Sequence, residues 1–404
     1  MEHAHEHVPY YRETMRRLGL APSDFRSAED LTKLPLVERE QLQADPEYFT
    51  SRAQPLASYF EVRTSGSTGE PVVFFRHVRG PLQRSLGFER MEPMLARILG
   101  VRWTRRDAVI VPPRVWTRDE DEEGPQVQWL GLHLRARVRN LSLFDPLEKL
   151  ASELDVFRPH LVKSYGSLIE ALYTHLLAER RGFHRPKAVS YTGDAVSEPL
   201  RRILRDELGV AVLGIYQAVE AGVVGWQCER QAAYHLNVDL CPTRVVDGEA
   251  RELPPGEPGE VVVSNLVNRG TVLLNYRLGD LAARLPEPCA CGRELPMLSE
   301  VQGRRTEWLQ SRSGSPVHPQ TFRNILRSVD GIRRFQLVQE QPGHVRVVAV
   351  VAPDAARDAI RSRILDDVQR LDASIQADVE FADSLPRTPG GKVLAVLTHE
   401  ASAE

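Results

Sequence analysis

Between residues 80 and 280, short apolar runs alternate with longer amphipathic stretches, and this alternation restricts the possible folds more than any other feature of the chain. Ala108-Val109-Ile110-Val111, Leu161-Val162-Lys163-Ser164, Ala188-Val189-Ser190-Tyr191 and Val212-Leu213-Gly214-Ile215-Tyr216 read as strands, with helices over residues 168–180 and 198–208 between them. Such a succession predicts an α/β body with a largely parallel sheet, because parallel neighbours need a long crossover rather than a hairpin. Glu260-Val261-Val262-Val263-Ser264-Asn265 and Thr271-Val272-Leu273-Leu274 then read as an antiparallel pair, giving a β-rich part over about residues 235–303.

A chain of 404 residues exceeds what one core organises. The character changes after Gly303. Residues 333–339 and 345–351 read as strands joined through Gln341-Pro342-Gly343, Ile360, Ile364, Val368 and Leu371 share one helix face, and Val379-Glu380-Phe381 is a further strand. The expected organisation is a large multi-sheet α/β domain over 1–303 and a small, mobile α+β domain over 304–404, linked at Gly303-Arg304-Arg305-Thr306. Ahead of the body, Tyr11, Met15 and Leu18 fall at helical spacing, and two short helices follow near Ala28 and Val37. His3, His5 and His7 alternate in a terminus expected to be frayed and solvated.

A formal charge of −3 gives no electrostatic reason to expect nucleic acid or an anionic membrane as partner. No apolar run approaches the roughly 20 residues of a membrane span, and the N-terminus lacks a signal core, so a cytoplasmic location is expected.

Several segments carry chemistry. Thr64-Ser65-Gly66-Ser67-Thr68-Gly69-Glu70-Pro71 lies between two strand-like runs. Its glycines allow tight turns with exposed N–H groups, and its hydroxyls add donors, a composition suited to polyphosphate. A plain Ser/Gly turn is the alternative. Tyr216-Gln217-Ala218-Val219-Glu220 ends a strand, where a carboxylate is placed to hold Mg²⁺ with nucleotide phosphates. Asp280, after Gly279, suits two ribose hydroxyls or an ordinary turn. Lys392, in Pro386-Arg387-Thr388-Pro389-Gly390-Gly391-Lys392, is a lone ammonium suited to developing charge, or one solvated lysine among many. Cys228, His235, Cys289 and Cys291 supply three thiolates and an imidazole, a closed tetrahedral set typical of structural zinc; unrelated buried thiols are the alternative. Cys241 is left over as a small core residue.

Taken in order, these segments resemble the adenylate-forming superfamily, in its phenylacetate–CoA ligase-like branch with its capsular-polysaccharide-type relatives. His7-Val8-Pro9-Tyr10-Tyr11-Arg12 and Asp30-Leu31-Thr32-Lys33-Leu34-Pro35-Leu36 resemble the N-terminal signature of the branch, and residues 64–71 its phosphate loop. Tyr191-Thr192-Gly193-Asp194-Ala195 resembles the adenine-contacting segment, and Tyr216 to Glu220 the Tyr-Gly-x-Thr-Glu segment. Residues 275–280 resemble the ribose-binding Tyr-Arg-x-Gly-Asp, Gly303-Arg304 the hinge-proximal pair and Lys392 the catalytic lysine. Cys…His and Cys-x-Cys-Gly-Arg elements also recur in this branch.

The resemblance implies activation of a carboxylic acid by ATP as acyl-AMP, with release of pyrophosphate, and transfer to coenzyme A. Lys392 and Glu220 are the implied catalytic groups. Thr64, Ser65, Gly66, Ser67, Thr68, Gly69, Gly193, Asp194, Ala195, Tyr216, Asp280 and Arg304 are the implied nucleotide contacts. The acid pocket is expected at Tyr165, Gly166, Ser167 and Tyr191, with Trp116 and His133 as further linings; aromatic walls suit an aryl acid, although core packing accounts for tyrosines equally. The implied cofactors are Mg²⁺, held through Glu220, and a structural Zn²⁺. The implied partners are the acid, ATP and an acceptor thiol or amine, with a homodimer as the one protein association.

Departures keep two rivals open. Val219 replaces a threonine, Gln217 a glycine and Thr306 the hinge Asp or Lys, and Ser311-Arg312-Ser313-Gly314 departs from an Arg-Gly pair. An enzyme of the same fold passing the acyl group to an amine is one rival, and a zinc-stabilised scaffold with decayed catalysis is the other.

Overall fold

The computed structural model describes residues 1–63, 72–77, 87–100, 105–112, 125–126, 136–179, 182–231, 233–301, 309–312, 316–317, 322, 325–326, 329–353, 355–371, 375–385 and 396–398. They form two compact units, one from the chain up to residue 300, the other from residue 301 onward with residues 279–281 counted in it.

In the first unit, β1 (Phe60–Arg63) and β2 (Val73–Arg76) pair antiparallel as a hairpin. Next come β3 (Arg105–Val111), β4 (Pro125–Gln126), β5 (Ala136–Ser142), β6 (Leu161–Tyr165), β7 (Ala188–Thr192) and β8 (Ala211–Ala218). After these lie β9 (Gly222–Gln227), β10 (Tyr234–Leu236), β11 (Thr243–Val246), β12 (Pro258–Val263), β13 (Tyr276–Leu285) and β14 (Met297–Leu298). The last twelve form one sheet in the order β11-β12-β13-β14-β10-β9-β8-β7-β6-β3-β5-β4.

Strands β5, β3, β6, β7 and β8 run parallel, and the sheet turns antiparallel from β8 to β9. The strands expected of the parallel body are therefore present, and the β-rich part continues the same sheet. Helices Leu147–Phe157 and Gly166–Ala178 cover one core, in which Leu150, Leu168, Ile169 and Leu172 pack against Val162, Val189 and Val212. Met91, Met94, Leu95 and Leu99 pack a second core with Leu161, Leu213 and Trp226. Covering both faces explains why these strands read as apolar runs rather than alternating ones.

Several expectations are corrected. The N-terminus is helical over Glu2–His7, with Ala4 buried and His3 Nε2 3.3 Å from the Arg269 carbonyl, rather than frayed. In the next helix, Pro9–Leu18, Tyr11 and Met15 are fully buried but Leu18 is 46% exposed, because the helix ends there on left-handed Gly19. Thr271 to Leu274 do not form a strand. Thr271 bonds to Phe75, Val272 to Phe49, the Leu273 carbonyl to Asn265 and Leu274 to the Tyr11 hydroxyl, so this stretch is spent on four different neighbours. Over 198–208 the helix is α only through Glu198–Arg202 and then widens to a π turn at Ile203–Glu207.

The second unit has β15 (Leu309–Gln310) and β16 (Pro316–Val317) as a small pair, then β17 (Ile332–Gln341), β18 (His344–Val351), β19 (Gln376–Phe381) and β20 (Val396–Thr398). The last four form a sheet in the order β19-β18-β17-β20. The helix Arg357–Leu371 buries Ile360, Ile364 and Val368 with Leu337, Val345 and Val347. Their i, i+4 spacing is the one read from the sequence. Gly343, at φ 78° in the β17–β18 turn, would drive a Cβ to 2.8 Å from Arg312 Cα, so glycine is required there.

Candidate active site

Adjacent parallel strands β6, β7 and β8 end at Tyr165, Thr192 and Ala218. Immediately beyond these ends stand Gly166 and Ser167, then Gly193, Asp194 and Ala195, then Val219 and Glu220. Three segments singled out from the sequence thus share the carboxyl edge of the sheet, where open α/β folds bind ligands. Residues at the strand ends of neighbouring parallel strands are brought side by side only by this register, in which Tyr165 pairs with Thr192 and Thr192 with Ile215.

The segments are locked to one another. Gly193 has φ 82°, a turn that favours glycine. The turn brings the Asp194 carboxylate to the N-terminus of helix Gly166–Ala178, where Oδ1 accepts the Ser167 N–H at 3.0 Å. Asp194 so satisfies one of the donors a helix start leaves open, and its charge suits that end of the dipole. A Cβ on Gly166 would lie 2.3 Å from the Asp194 carbonyl oxygen and 2.7 Å from the Ala195 carbonyl carbon. Gly166→Ala is therefore expected to cost about 1–3 kcal/mol by overpacking against backbone and to lower ATP-dependent activity at least several-fold. Urea unfolding and pyrophosphate release measure the two effects.

The hydroxyl–glycine run 64–71 lies outside the described residues, as do Arg304, Thr306, Trp116, His133 and Lys392. Its flanking strands are described: β1 and β2 pair from Phe60–Arg76 to Arg63–Val73, so the run joins one end of that hairpin. The hairpin is fixed by β2. Arg76 Nη2 donates to the Val219 carbonyl at 3.1 Å. Phe75 N–H donates to Thr271 Oγ1 at 2.8 Å, and the Phe75 carbonyl accepts from Thr271 N–H at 2.7 Å and Asn268 Nδ2 at 3.1 Å. Gly270 packs so closely that a Cβ would sit 2.1 Å from the Phe75 oxygen.

Glu220, half-buried, stands in the tight β8–β9 turn rather than at a helix start, and Asn265 Nδ2 donates to its carbonyl at 2.9 Å. Arg76, Asn265, Asn268 and Thr271 are supports that sequence reasoning missed. The one signal for them is the Asn265-x-x-Asn268 spacing, in which Asn265 Oδ1 accepts from the N–H groups of Val267 and Asn268 and closes the loop on itself.

Two aromatic candidates lie deeper. Tyr191 is 3% exposed, its hydroxyl hydrogen-bonded to that of Tyr234, and burial pushes it up to about 12. Arg201 lies 6.0 Å from its ring and pairs with Glu300, whose Oε1 also accepts from Gln227 Nε2 at 3.0 Å. The Tyr216 ring is 5.9 Å from that of Tyr234. Tyr191 is thus part of the core, and Tyr216, Gly166 and Ser167 are also buried. Asp280 is 9% exposed within β13, directly after Gly279 at φ 75°.

The cysteines form a second site. Cys228 follows β9, His235 lies in β10, and Cys289 and Cys291 lie between β13 and β14. Their four ligand atoms fall within 4.8 Å of one another, the one such group among the described residues. Cys228 and Cys289 Sγ are 3.6 Å apart, and Cys291 Sγ is 3.4 Å from His235 Nε2. Tetrahedral zinc with bonds of about 2.3 Å to sulfur and about 2.05 Å to nitrogen has edges of about 3.8 Å and about 3.6 Å, close to these separations.

Burial pushes the Cys228 thiol up to about 12. At Cys291 burial acts the same way but is outweighed by hydrogen bonds from Arg293, which hold that thiol below its ordinary value. Burial, with the nearby Arg293 charge, lowers His235 and favours the neutral ring that ligates metal. Arg293 also stacks 5.5 Å over Trp226 and pairs with Glu229 at 2.9 Å. Three thiolates and a divalent cation sum to −1, which Arg293 is placed to balance. Cys241 is separate and fully buried.

Comparison with known proteins follows the same lines. Residues 309–399 match the model of the CapK C-terminal domain. Phenylacetate-coenzyme A ligase of Thermus thermophilus is 26% identical, covering 98% of this chain and 93% of its own length. The phenylacetate-coenzyme A ligase of Escherichia coli is 24% identical over 87% of this chain and 79% of its own. The chain is similar to phenylacetate-coenzyme A ligases over nearly its whole length. Its fold is shared with a 2-hydroxyisobutyryl-CoA ligase crystallised in the postadenylation state, at a TM-score of 0.78 and 19% identity over 98% of this chain and 86% of that one.

Proposed function

We propose that the chain is an ATP-dependent acid–thiol ligase that converts a carboxylic acid to acyl-AMP, releases pyrophosphate and passes the acyl group to coenzyme A. The observation carrying this reading is the assembly at one sheet edge of Gly166-Ser167, Gly193-Asp194-Ala195 and Val219-Glu220, with the hairpin bearing the hydroxyl–glycine run tied to the same edge through Arg76.

A carboxylate resists nucleophilic attack because its oxygen is a poor leaving group. Joining that oxygen to the α-phosphate of ATP, with pyrophosphate departing, creates a mixed anhydride whose leaving group is AMP. The thiol sulfur then bonds to the acyl carbon as the C–O bond to AMP breaks. Both steps are problems of positioning and charge stabilisation.

Thr64, Ser65, Gly66, Ser67, Thr68 and Gly69 offer hydroxyls and N–H groups to the phosphates. The segment Gly193, Asp194 and Ala195 borders the adenine with Tyr216, Asp280 receives the ribose hydroxyls, and Lys392 meets the reacting carboxylate and α-phosphate. Glu220 presents a hard oxygen donor in a turn whose backbone carbonyl is already engaged, which suits Mg²⁺; that ion supplies charge neutralisation on the phosphates. Arg304 stands beside the hinge on which the C-terminal lobe is expected to close. Cys228, His235, Cys289 and Cys291 would hold zinc with no open position, so its part is structural.

No helix among the described residues is long and apolar enough to cross a membrane, and we place the activity in the cytoplasm, where ATP and coenzyme A are available. The test is a panel of carboxylic acids, aryl acids first, with ATP and Mg²⁺, read by pyrophosphate release and mass spectrometry of products. An acyl-CoA formed only when coenzyme A is present is the expected result. Pyrophosphate release with amide formation in place of thioester would establish the amine acceptor, and no acid-dependent release with any acid would overturn the ligase reading.

A further inference from the structure

We infer that Asn275 positions the nucleotide-binding carboxylate of Asp280 by tying the start of β13 to the N-terminal forty residues. The inference rests on the ribose role proposed for Asp280. Asn275 is 1% exposed, with φ 56°. Asparagine tolerates that left-handed conformation better than most residues.

Each polar atom of Asn275 is engaged. Its N–H donates to Ser264 Oγ at 2.9 Å, and Nδ2 donates to the carbonyls of Leu31 at 2.5 Å and Leu34 at 2.9 Å. Oδ1 accepts from Arg244 Nη2 at 3.0 Å, and the carbonyl accepts from Val37 N–H at 2.9 Å. The residues on either side are held by the same N-terminal segment. Leu274 N–H donates to the buried Tyr11 hydroxyl at 2.7 Å. Arg277 N–H donates to the Val37 carbonyl at 3.1 Å, and its guanidinium pairs with Glu38 at 3.1 Å and Glu260 at 2.9 Å.

A buried amide with every polar atom engaged, as at Asn275, holds one geometry, because any shift leaves a desolvated group unpaired. Two residues beyond Arg277 the chain turns left-handed again at Gly279, and Asp280 follows. Residues 11, 31, 34, 37 and 38 therefore fix the strand end from which Asp280 is presented. The Asp30-to-Leu36 run, read from the sequence only as a signature, acquires a physical task.

The experiment is equilibrium titration of the full chain with ATP, wild type against Asn275→Gly and Tyr11→Phe. Asn275→Gly keeps the backbone conformation but removes three side-chain bonds, and should weaken ATP about tenfold or more. Tyr11→Phe keeps the packed ring and removes the hydroxyl that accepts from Leu274 N–H and donates to the Leu274 carbonyl, and should weaken ATP about threefold. The KM for the acid and the metal content should not change, which separates positioning from general loosening. Unchanged ATP affinity in both variants, or a parallel rise in the KM for the acid, overturns the inference. Should Asn275→Gly fail to fold, Tyr11→Phe decides alone. A wild-type chain that binds no ATP would instead remove the ligase reading on which the ribose role depends.

Discussion

Replacing Lys392 by alanine is expected to slow acyl-adenylate formation about a thousandfold while changing ATP affinity less than about threefold. The expectation follows from the chemistry proposed for this residue. Negative charge passes between the carboxylate, the α-phosphate and the departing pyrophosphate, and a preorganised cation beside it matters most in the transition state. Removing one such donor commonly costs about 10²–10³ in rate. Ground-state binding of ATP rests on other groups, so the loss falls on kcat rather than on nucleotide affinity. Lys392 lies within the stretch that matches the CapK C-terminal domain. Single-turnover pyrophosphate release measures the effect, and thioester formation from supplied acyl-AMP, which needs no adenylation, should fall far less. Equal single-turnover rates in wild type and variant would remove Lys392 from the reaction.

Cys289→Ser should lower the metal content from about one zinc per chain to nearly none and destabilise the first unit by about 3–5 kcal/mol, the range of a lost covalent cross-link. Zinc held by these four residues would join the end of β9, strand β10 and the β13–β14 connection, with Cys228 and Cys289 61 residues apart in the chain. Loss of the bond would leave Cys228 and His235 buried without their ligand. Elemental analysis and thermal unfolding read the two effects, and a lowering of Tm by about 10 °C is the scale expected. Because the set is closed, adenylation by the remaining folded protein at low temperature should stay within about threefold of wild type. A metal-free wild type with an unchanged melting temperature would show that the four residues are packed thiols and an imidazole only.

Local pattern was legible wherever burial on both faces leaves a strand apolar throughout. Val162, Val189 and Val212 read as strand residues and are buried strand residues. Ile360, Ile364 and Val368 read as one helix face and form it. The pattern misled at residues 271–274, because β-branched and aliphatic composition reports burial rather than pairing. Those residues are buried, but their backbone hydrogen bonds go to Phe49, Phe75, Asn265 and the Tyr11 hydroxyl. Leu18 shows the converse, an apolar residue on the helical period whose helix stops before anything covers it.

The sequence by itself determined the elements, the chemical types at the candidate sites and the order of the motifs along the chain, since propensity, periodicity and glycine requirements act over a few residues. Only the tertiary structure decided that the ends of β6, β7 and β8 lie side by side, that three cysteines and a histidine from three segments converge, and that Asn275 joins residues 31 and 34 to residue 244. These are contacts between positions tens to hundreds of residues apart. Their geometry comes from strand register and from the demand that each buried polar group find a partner, and neither is written in any local stretch of sequence.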